Sequence, residues 1–464
     1  MKRSLPADIR CSLPEAAVPL LDRVVEAADR EEASVYLVGG PVRDWLMGRA
    51  IRDIDLLVES DTLDGAARIA EAAASKNVQV TRHDRFATVT LQQGDALVEL
   101  ATSRSESYAH DGALPSVTPA RIEDDLLRRD FSVNALALPL SKAAWNRHPG
   151  IVAVEDGERD LAEGQLRVLS PVSFRDDPTR ALRAARLAPR LGFSVTRGTH
   201  SALREGLRVG AFGRVSGERL RRELVKIFED AAIGLDPSLS FRLLDSWHVL
   251  GALEPGLELP RESVLALRRL GRVIEEPPWA VTRFRPWLAG FALWLTPLSP
   301  GLRRRALRRL AVRGEASRRI ASMAVHRDAQ LKALAAARGR GAVDALLGEL
   351  KDEELHALYA WSTPACRRRI HRYCTEDRGT RIPVTGQDLV GLGLKGQIVG
   401  RALKRVRAAF LDGEVTDRDG ALVLAGEVGR RRARPSTRKV RRVSQAKAPL
   451  QPPSLSAKET QKSQ

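Results

Sequence analysis

The sequence has few cysteines and no long apolar run, and each absence excludes a class of protein. Only Cys11, Cys366 and Cys374 occur, which is too few for a disulfide framework or for the paired Cys-x-x-Cys knuckles of a zinc site. No stretch approaches the roughly 20 apolar residues of a membrane-spanning helix, and the first residues lack the charged, apolar and small-residue succession of a secretory signal. We therefore expect a cytoplasmic protein in a reducing compartment, with no membrane as a partner.

The sequence also has fewer acidic than basic residues. There are 58 Asp and Glu against 76 Lys and Arg, which gives a formal net charge of +18. Such a surplus attracts long polyanions, so RNA is the first partner to consider. Residues 430–464 hold eleven Lys or Arg and a single acid, Glu459, so the remainder carries about +8. That segment has almost no large apolar side chains and is predicted to be a basic disordered extension.

A chain of 464 residues should divide into about two to four units, since domains usually run to roughly 100 to 200 residues. Up to about residue 145, apolar spacing predicts a mixed α/β unit. Its predicted helices cover 13–30, 42–47 and 63–75, and its predicted strands cover 35–38, 53–58, 78–81, 88–91 and 96–101. Strand signals nearly vanish from Phe174 onward. The predicted fold is an α/β head followed by a mostly α-helical remainder.

The strongest chemical signal is Asp53-Ile54-Asp55 on a predicted strand. A period of two sends both carboxylates to one face and Ile54 into the core. Glu99, on another predicted strand, is a candidate third acid. Hard oxygen ligands of this kind suit Mg²⁺, which keeps water and substrate phosphate oxygens as its other ligands. Two acids that alternate on a strand more often lie on its solvent-exposed face without binding a metal. The surrounding residues therefore decide between a metal site and an exposed strand face.

Gly39-Gly40 ends a predicted strand upstream of this acidic pair and precedes Arg43. Backbone N–H groups exposed at such a turn, with a guanidinium beside them, are able to hold a triphosphate. Gly-Gly alone is typical of an ordinary turn. Its closeness in sequence to the acidic pair is what a compact nucleotidyl-transfer site requires.

Five motifs follow one another over about 180 residues. They are Gly39-Gly40-Pro-Val-Arg43-Asp44-x-Leu46 with Asp53-Ile-Asp55, Arg128-Arg129-Asp130-Phe131-Ser-Val-Asn134-Ala135, Asp156-Gly157 with Asp160-Leu161, Asp176-Asp177-Pro178-x-Arg180-x-x-Arg183-x-x-Arg186, and Ser216-Gly-Glu218-Arg219. Together they resemble the motifs of the class II CCA-adding tRNA nucleotidyltransferases and bacterial poly(A) polymerases. The resemblance weakens after about residue 230 and returns over 386–414. Asp176 departs from it, because many members have Glu there.

The resemblance implies an organisation for the whole chain. It implies a nucleotidyltransferase catalytic head over 1–145, a neck with a base-reading helix over 146–230, a helical RNA-binding body over 231–375 and a helical tRNA-binding tail over 376–429, before the extension at 430–464. In the head, Asp53 and Asp55, with Glu99 as a further catalytic acid, would hold two Mg²⁺ ions about 4 Å apart. Those ions would activate an RNA 3′-hydroxyl and stabilise the pyrophosphate leaving group.

The second motif is expected where the head meets the neck. By resemblance, Arg129 would contact the nucleotide, and Asp130 and Asn134 would contact its ribose or the surrounding turn. From spacing alone, Arg-Arg-Asp is equally typical of a salt-bridged helix entry.

Asp177-Pro178 has the form of a helix start, with Asp at the N-cap and Pro at the first helical position. Arg180, Arg183 and Arg186 then recur every three residues, a spacing that a solvated basic stripe would share. By resemblance, these positions form the base-reading motif. Asp177 as acceptor and Arg180 as donor complement the amino group and ring nitrogen of both cytosine and adenine. Uracil and guanine invert that pattern and should be rejected at about 1 to 3 kcal/mol for each unpaired group.

Other motifs carry little weight. His83-Asp84 and His110-Asp111 suggest the His-Asp phosphohydrolase domain of some relatives, but both lie in the head rather than the helical body. The Arg-rich stretch 303–309 is either an RNA contact or a solvated helix face.

The sequence therefore predicts an enzyme that adds C and A to the 3′ end of tRNA from CTP and ATP, without a nucleic-acid template and without an obligate protein partner. A partial enzyme that adds only CC or only A stays open. Poly(A) polymerases usually carry a Gly-Arg-Arg-Phe-like motif where this chain has Arg85-Phe86-Ala-Thr-Val. A non-catalytic RNA-binding protein is a further alternative, although an idle site has no reason to keep clustered like charges.

Overall fold

The structure is a computed structural model and describes residues 9–83, 87–112, 115–140, 150–275 and 285–430. These residues divide into two compact units, one formed by residues up to 338 with 342–379 and one formed by 339–341 with residues from 380 onward. The predicted boundaries of head, neck, body and tail stay predictions. Asp84, the Arg85-Phe86 pair that argues against a poly(A) polymerase, and the extension from residue 431 lie outside the described residues.

Strands dominate the first third of the chain. They are β1 Ser34–Val38, β2 Asp55–Glu59, β3 Gln79–His83, β4 Thr88–Gln93, β5 Ala96–Thr102, β6 Arg104–Ser107, β7 Ser116–Pro119, β8 Leu136–Leu140, β9 Val152–Ala153, β10 Gln165–Leu166 and β11 Ser194–Val195. A mixed sheet has the order β3-β4-β5-β2-β1-β8-β9, in which β2 and β5 are parallel and the other neighbours antiparallel. β6 and β7 form a separate antiparallel hairpin, and β10 and β11 a short parallel pair.

Helices make up most of the remainder, which confirms the predicted fold class. Those before residue 130 are α1 Val18–Arg30, α2 Gly40–Leu46, α3 Gly65–Ala73 and α4 Ile122–Leu127. Next come α5 Gly157–Glu163, α6 Ser173–Asp176, α7 Thr179–Leu191, α8 Arg197–Arg208, α9 Ala211–Arg214, α10 Gly217–Glu229, α11 Pro237–Ser246, α12 Val249–Leu253 and α13 Arg261–Glu275. The last are α14 Pro286–Leu295, α15 Pro300–Arg309, α16 Gly314–Ala336, α17 Gly339–Leu347, α18 Asp352–Trp361, α19 Pro364–Arg372, α20 Gly386–Gly391, α21 Gln397–Leu411 and α22 Arg418–Arg430.

The sheet buries one face because its strands alternate. In β5, Val98 and Leu100 are fully buried while Leu97 and Glu99 are exposed. The apolar sides of α1 and α3 pack on the buried face in one continuous core, as expected when helices cover the apolar side of a sheet. The opposite side of β5 is free to carry polar chemistry.

A small apolar cluster fixes α7 beside the sheet. Phe131 and Val133, in the turn before β8, are fully buried and pack with Leu187 and Leu191 of α7. Burying a large apolar side chain contributes roughly 1.5 to 3 kcal/mol. This cluster therefore holds α7 against the strand ends where the predicted catalytic residues lie.

The helical core after α7 is rich in aromatic contacts. Phe228 of α10 lies 5.4 Å from Phe241 and 5.7 Å from Phe291 between ring centroids, and Phe241 lies 4.8 Å from Trp294. Gly290 allows this packing, because a Cβ at that position would lie 2.2 Å from a Phe228 ring carbon. α10 is thus held firmly by its apolar side, which leaves its polar side for a site.

One strand begins later than predicted. The sequence predicts a strand from Asp53, but β2 begins at Asp55. Its pairing with β1 ends at Leu56, opposite Leu37, and its pairing with β5 begins at Asp55. Asp53 therefore has no strand partner and lies in the loop that enters the sheet.

Candidate active site

A cavity of about 790 Å³ lies where the sheet faces α7 and α10. We call its residues between Gly39 and Asn134 the sheet wall, and its residues between Asp177 and Glu229 the helix wall. Among the predicted site residues, Glu99 does not line it. The others all do, namely Gly39, Gly40, Arg43, Asp53, Asp55, Arg129, Asp130, Asn134, Asp177, Arg180, Arg183 and Arg186.

Cations outnumber acids in the lining of this cavity. A concave site with a positive excess concentrates polyanions such as nucleoside triphosphates and RNA. The eleven cations are Arg43, Arg52, Arg128, Arg129, Arg180, Arg183, Arg186, Arg190, Arg219, Arg222 and Lys226, and the seven acids are Asp44, Asp53, Asp55, Glu106, Asp130, Asp177 and Glu229.

Asp53 and Asp55 are the candidate metal ligands of the sheet wall. Ile54 between them is 1% exposed, as the alternation predicts. Glu99 lies beside Asp55 in direct register on the parallel strand β5, although its side chain is exposed. Among the residues that the structure describes, these three carboxylates form no hydrogen bond or ion pair. Their oxygens are therefore available to bind a metal ion.

Negative charges crowd Asp55. Burial raises the pKa of its carboxyl, Glu99 and Asp53 raise it further, and Arg129 lowers it, with a result of about 6. A divalent cation would relieve this repulsion, and carboxylate oxygens suit Mg²⁺. Within the described ranges, no group of three or more His, Cys, Asp or Glu is arranged to hold a metal ion. The donor set that fits is the pair of aspartates, with the other positions left to water and phosphate oxygens.

Gly39 forms a turn that brings the backbone close to Arg129. Its φ of +73° and ψ of −126° are open in practice to glycine alone. A Cβ there would lie 2.8 Å from Arg129 Nη1. The Gly39 N–H donates to the Leu136 carbonyl at 2.9 Å. The prediction that the N–H groups of this turn are exposed is therefore wrong for Gly39, because its amide completes the pairing at the end of β8.

A chain of polar contacts connects the two walls. Arg43 is 5% exposed; its Nη1 donates to Asn134 Oδ1 at 2.5 Å, and Asn134 Nδ2 donates to Asp130 Oδ1 at 3.1 Å. From the helix wall, Arg183 Nη2 lies 2.9 Å from Asp130 Oδ2. Burial raises the pKa of Asp130, but Arg183 and Asn134 outweigh that effect, so the pKa lies below its ordinary value. These residues form one connected network rather than separate contacts.

Asp125, which the sequence analysis missed, fixes both arginines of the second motif. It is fully buried. Its Oδ2 accepts hydrogen bonds from Arg128 Nε at 3.0 Å and Nη2 at 2.5 Å, and its Oδ1 lies 3.3 Å from Arg129 Nε and Nη2. Arg128 Nη1 also donates to Glu106 Oε1 at 2.7 Å, and Tyr108 donates to Glu106 Oε2 at 2.8 Å. Arg128 and Arg129 are thus both ion-paired with Asp125, as the alternative of a salt-bridged helix entry predicts, and both also line the cavity.

Asp177 both caps a helix and faces the cavity. Its Oδ1 accepts from the N–H and the Oγ1 of Thr179, the first residue of α7, at 3.0 and 2.6 Å. The same oxygen lies 2.9 Å from Arg219 Nη2 on α10. The helix begins one residue later than predicted, with Pro178 at its N-cap position. Asp177 is therefore held from two helices.

Arg180 is fixed as firmly as Asp177. It is 8% exposed and lines the cavity. Its Nη1 donates to Ser173 Oγ at 2.6 Å, and its Nη2 donates to the Arg128 carbonyl at 2.7 Å. A guanidinium with two anchored nitrogens keeps a defined plane. The Asp177–Arg180 pair thus has the rigidity that base reading requires.

Arg186 is paired with Asp230. Its Nε and Nη2 donate to the two oxygens of Asp230 at 2.6 and 2.8 Å, a bidentate pair. Arg183, by contrast, keeps 43% of its side chain exposed. The three arginines of the repeat therefore differ in role, and only their spacing is regular.

The β6–β7 hairpin reaches from the sheet to the helix wall. Asp111, in its loop, pairs with Arg175 at 3.4 Å and with Arg214 at 3.0 Å. The neighbouring Gly112 N–H donates to the Arg175 carbonyl at 2.9 Å, and its carbonyl accepts from Arg219 Nη1 at 3.2 Å. We call these contacts the hairpin brace. His110-Asp111 is thus structural, in line with the low weight given to it.

Several lining residues were not predicted. On α10, Arg222, Lys226 and Glu229 share one side of the helix with Arg219 of the fifth motif, at spacings of three and four. That periodicity is visible in the sequence, but nothing local distinguishes it from a solvated stripe. Tyr108 also lines the cavity; burial and Glu106 raise the pKa of its hydroxyl.

The Arg-rich stretch 303–309 is partly structural. Arg303 is 8% exposed, and its Nη1 donates to the Thr296 carbonyl at 3.1 Å. Arg309 donates to the Leu253 and Phe212 carbonyls at 3.1 and 2.7 Å. These two side chains cap helix ends and are not available to RNA phosphate.

The sequence was compared with protein families and with curated proteins. Residues 35–167 match the poly(A) polymerase head domain. The chain is 31% identical over 424 residues to the A-adding tRNA nucleotidyltransferase of Geobacter sulfurreducens, covering 89% of this chain and 47% of that protein. It is 37% identical over 255 residues to the A-adding enzyme of Halalkalibacterium halodurans, covering 54% and 57%. The chain thus spans about half the length of these relatives.

Solved structures share the fold along nearly the whole chain. A CCA-adding enzyme in complex with ATP superimposes with a TM-score of 0.71 at 26% identity, covering 92% of this chain and 99% of that one. The Thermotoga maritima CCA-adding enzyme complexed with tRNA gives 0.68 at 26% identity, covering 92% and 98%. Separately, none of the described helices is long and apolar enough to cross a membrane.

Proposed function

We propose that the chain is a member of the family of class II CCA-adding tRNA nucleotidyltransferases and bacterial poly(A) polymerases, and that it adds the 3′-terminal C and A residues of tRNA. The substrates would be CTP, ATP and tRNA, and pyrophosphate would be released. One observation carries the proposal: a single cationic cavity holds both the Asp53–Asp55 pair and the fixed Asp177–Arg180 pair. The first supplies transfer chemistry, and the second supplies a choice of base.

In this proposal the sheet wall binds the reacting groups. Asp53 and Asp55 would hold Mg²⁺, which when bound supplies charge neutralisation at the phosphates and lowers the pKa of the attacking hydroxyl. Arg129, anchored by Asp125, lies close enough to Asp55 to lower its pKa and is placed to bind phosphate oxygens. The RNA 3′-oxygen attacks the α-phosphorus, its proton is lost, a new P–O bond forms, and the bond to pyrophosphate breaks.

The helix wall selects the base. Asp177 Oδ1 is occupied by Thr179 and Arg219, so Oδ2 is left to accept from the exocyclic amino group of cytosine or adenine. Arg180 keeps unused N–H groups for the ring nitrogen beside it. Because both side chains are fixed before the nucleotide binds, little conformational entropy is lost when the base pairs with them.

A second candidate function is the addition of the terminal A alone. It is favoured by the A-adding relatives, one of which aligns with 89% of this chain. CC-adding and complete CCA-adding enzymes also match, each at 30% to 34% identity over about half of the chain.

The test uses three tRNA substrates that end before CCA, after C and after CC, each with CTP or ATP supplied alone or together. Complete CCA addition predicts extension of all three; an A-adding enzyme extends only the tRNA that ends in CC, and only with ATP. Asp53→Ala should abolish extension while tRNA binding stays near wild type. Extension by this variant at near wild-type rate would overturn the proposal.

A further inference from the structure

A second cavity, of about 510 Å³, shares Arg222, Lys226 and Glu229 of α10 with the active-site cavity. Its lining also includes Trp287 and, near the start of α16, Val312, Arg313 and Ala316. We call it the α10 groove. Since one face of α10 lines both spaces, the groove continues outward from the place where the new bond would form.

Two arginines of the α10 groove have no partner among the described residues. Arg222 and Arg313 are exposed, and neither forms a hydrogen bond or an ion pair there. This separates them from Arg186 and Arg219, which are held by acids. An exposed arginine without an acid keeps its full capacity to bind a phosphate.

The groove also contains an aromatic side chain. Trp287 is half-buried and packs edge-on against Phe291, with centroids 5.6 Å apart and an angle of 75° between the rings. This contact holds the indole in place at the groove, where Val225 and Val312 add apolar surface. Fixed aromatic rings beside basic residues are a recurrent platform for unpaired nucleic-acid bases.

From these observations we propose that the α10 groove binds the single-stranded 3′ end of the RNA acceptor, with a base against Trp287 and the backbone phosphates at Arg222 and Arg313. Inorganic triphosphate would use the cations but not the indole, duplex RNA would present no exposed base face, and a nucleoside triphosphate is distinguished from the RNA end by the KM values for ATP and tRNA. The proposal rests on the proposed function, because it takes the bound polymer to be the strand that is extended.

The test measures RNA binding without nucleotide, so it does not depend on catalysis. The probes are a tRNA that ends in CC and a short hairpin RNA with the same single-stranded end, each with 2-aminopurine within the last four nucleotides. Arg222→Ala with Arg313→Ala should weaken binding about tenfold or more and should lower the slope of log Kd against log salt by about one to two. The matched control is Arg204→Ala with Arg318→Ala, which removes two exposed, unpaired arginines outside the groove.

Trp287→Leu keeps an apolar side chain against the core and removes the ring. It should weaken binding of the single-stranded end roughly 5- to 100-fold, since a base stacked on an aromatic ring contributes about 1 to 3 kcal/mol, and should abolish the position-specific quenching of 2-aminopurine. Trp287→Phe should restore most of both. In steady-state assays the KM for tRNA should rise while the KM for ATP stays unchanged.

Three outcomes overturn this assignment. One is equal loss of affinity in the groove variants and in the Arg204 and Arg318 control. Another is a rise in the KM for ATP instead of tRNA, which would assign the groove to the triphosphate. The third is Trp287→Leu binding that matches wild type. The proposed function fails separately, if the wild-type enzyme does not extend tRNA or Asp53→Ala still does.

Discussion

The two walls of the cavity use charge in opposite ways. On the sheet wall, Asp53 and Asp55 form no hydrogen bond or ion pair within the described part of the chain, and burial and like charges raise the pKa of Asp55 to about 6. On the helix wall, Arg180 and Asp177 each have several partners, and Arg186 is paired with both oxygens of Asp230. The candidate metal ligands of the sheet wall are thus unpaired, whereas Asp177, Arg180 and Arg186 of the helix wall are paired.

This difference separates two requirements of a templating enzyme. Chemistry needs groups that are free to bind ions and phosphates, and such groups cost stability when they are crowded. Base selection needs donors and acceptors whose positions are fixed before the substrate arrives. Four substitutions test whether the two walls divide these requirements.

Asp55→Asn should lower kcat by on the order of 10³-fold or more, because the site would lose a charge that holds the proposed Mg²⁺ ions, which would supply several kcal/mol of stabilisation. In metal-free buffer the same variant should melt at a higher temperature than wild type, since a crowded negative charge is removed. Asp61→Asn, an exposed site nearby, is the control. A lower melting temperature of Asp55→Asn would contradict the repulsion between Asp55 and its neighbouring carboxylates.

Asp125→Asn should reduce kcat/KM for nucleotide by about 10²-fold, because the guanidinium groups of Arg128 and Arg129 lose the carboxylate that aligns them. Exposed Asp124 on the same helix provides the control, Asp124→Asn. A melting curve that still shows one cooperative transition separates misalignment from unfolding. Wild-type kinetics in a folded Asp125→Asn protein would contradict the positioning role.

Asp177→Ala should relax the preference for CTP and ATP over UTP by roughly 10- to 100-fold, since each unpaired group costs about 1 to 3 kcal/mol. Loss of the helix cap is controlled by Asp236→Ala, because Asp236 accepts from the Ser238 N–H at the start of α11 at 2.9 Å. That control should lose comparable stability without a change in base choice. An unchanged preference in Asp177→Ala refutes the templating pair.

Arg186→Lys should lower the free energy of unfolding by about 1 to 2 kcal/mol, because lysine cannot form the two parallel hydrogen bonds to Asp230. The KM for nucleotide should change little. Arg208→Lys, at an exposed pair with Glu205, should change neither quantity. A large rise in KM with unchanged stability would make Arg186 a nucleotide ligand, as the resemblance implies, and would weaken the contrast between the walls.

Local patterns predicted much of this molecule. Alternation placed Ile54 in the core, and the motifs predicted a set of residues that, Glu99 apart, line a single cavity. The position of Glu99 beside Asp55 depends on the register of β2 and β5, which the sequence did not predict. The sequence could not separate Arg183 from Arg186, because their partners Asp130 and Asp230 are distant in the chain and meet them only after folding. Asp125 was missed for a different reason: Arg128 and Arg129 lie only three and four residues after it, but nothing in the acidic run 123–125 shows which acid is buried.

The hairpin brace has a consequence for motion. The turn before β8 is joined to α7 by the apolar cluster around Phe131, and the loop of the β6–β7 hairpin is joined by Asp111 and Gly112 to Arg175 of α6, Arg214 of α9 and Arg219 of α10. Because the apolar cluster and the hairpin brace attach at separate points, the sheet wall and the helix wall cannot rotate about a single hinge. If the proposed function holds, acceptance of a second base would then depend on side-chain rotation or on the substrates, and the Asp53–Asp55 pair and the Asp177–Arg180 pair would keep a constant separation.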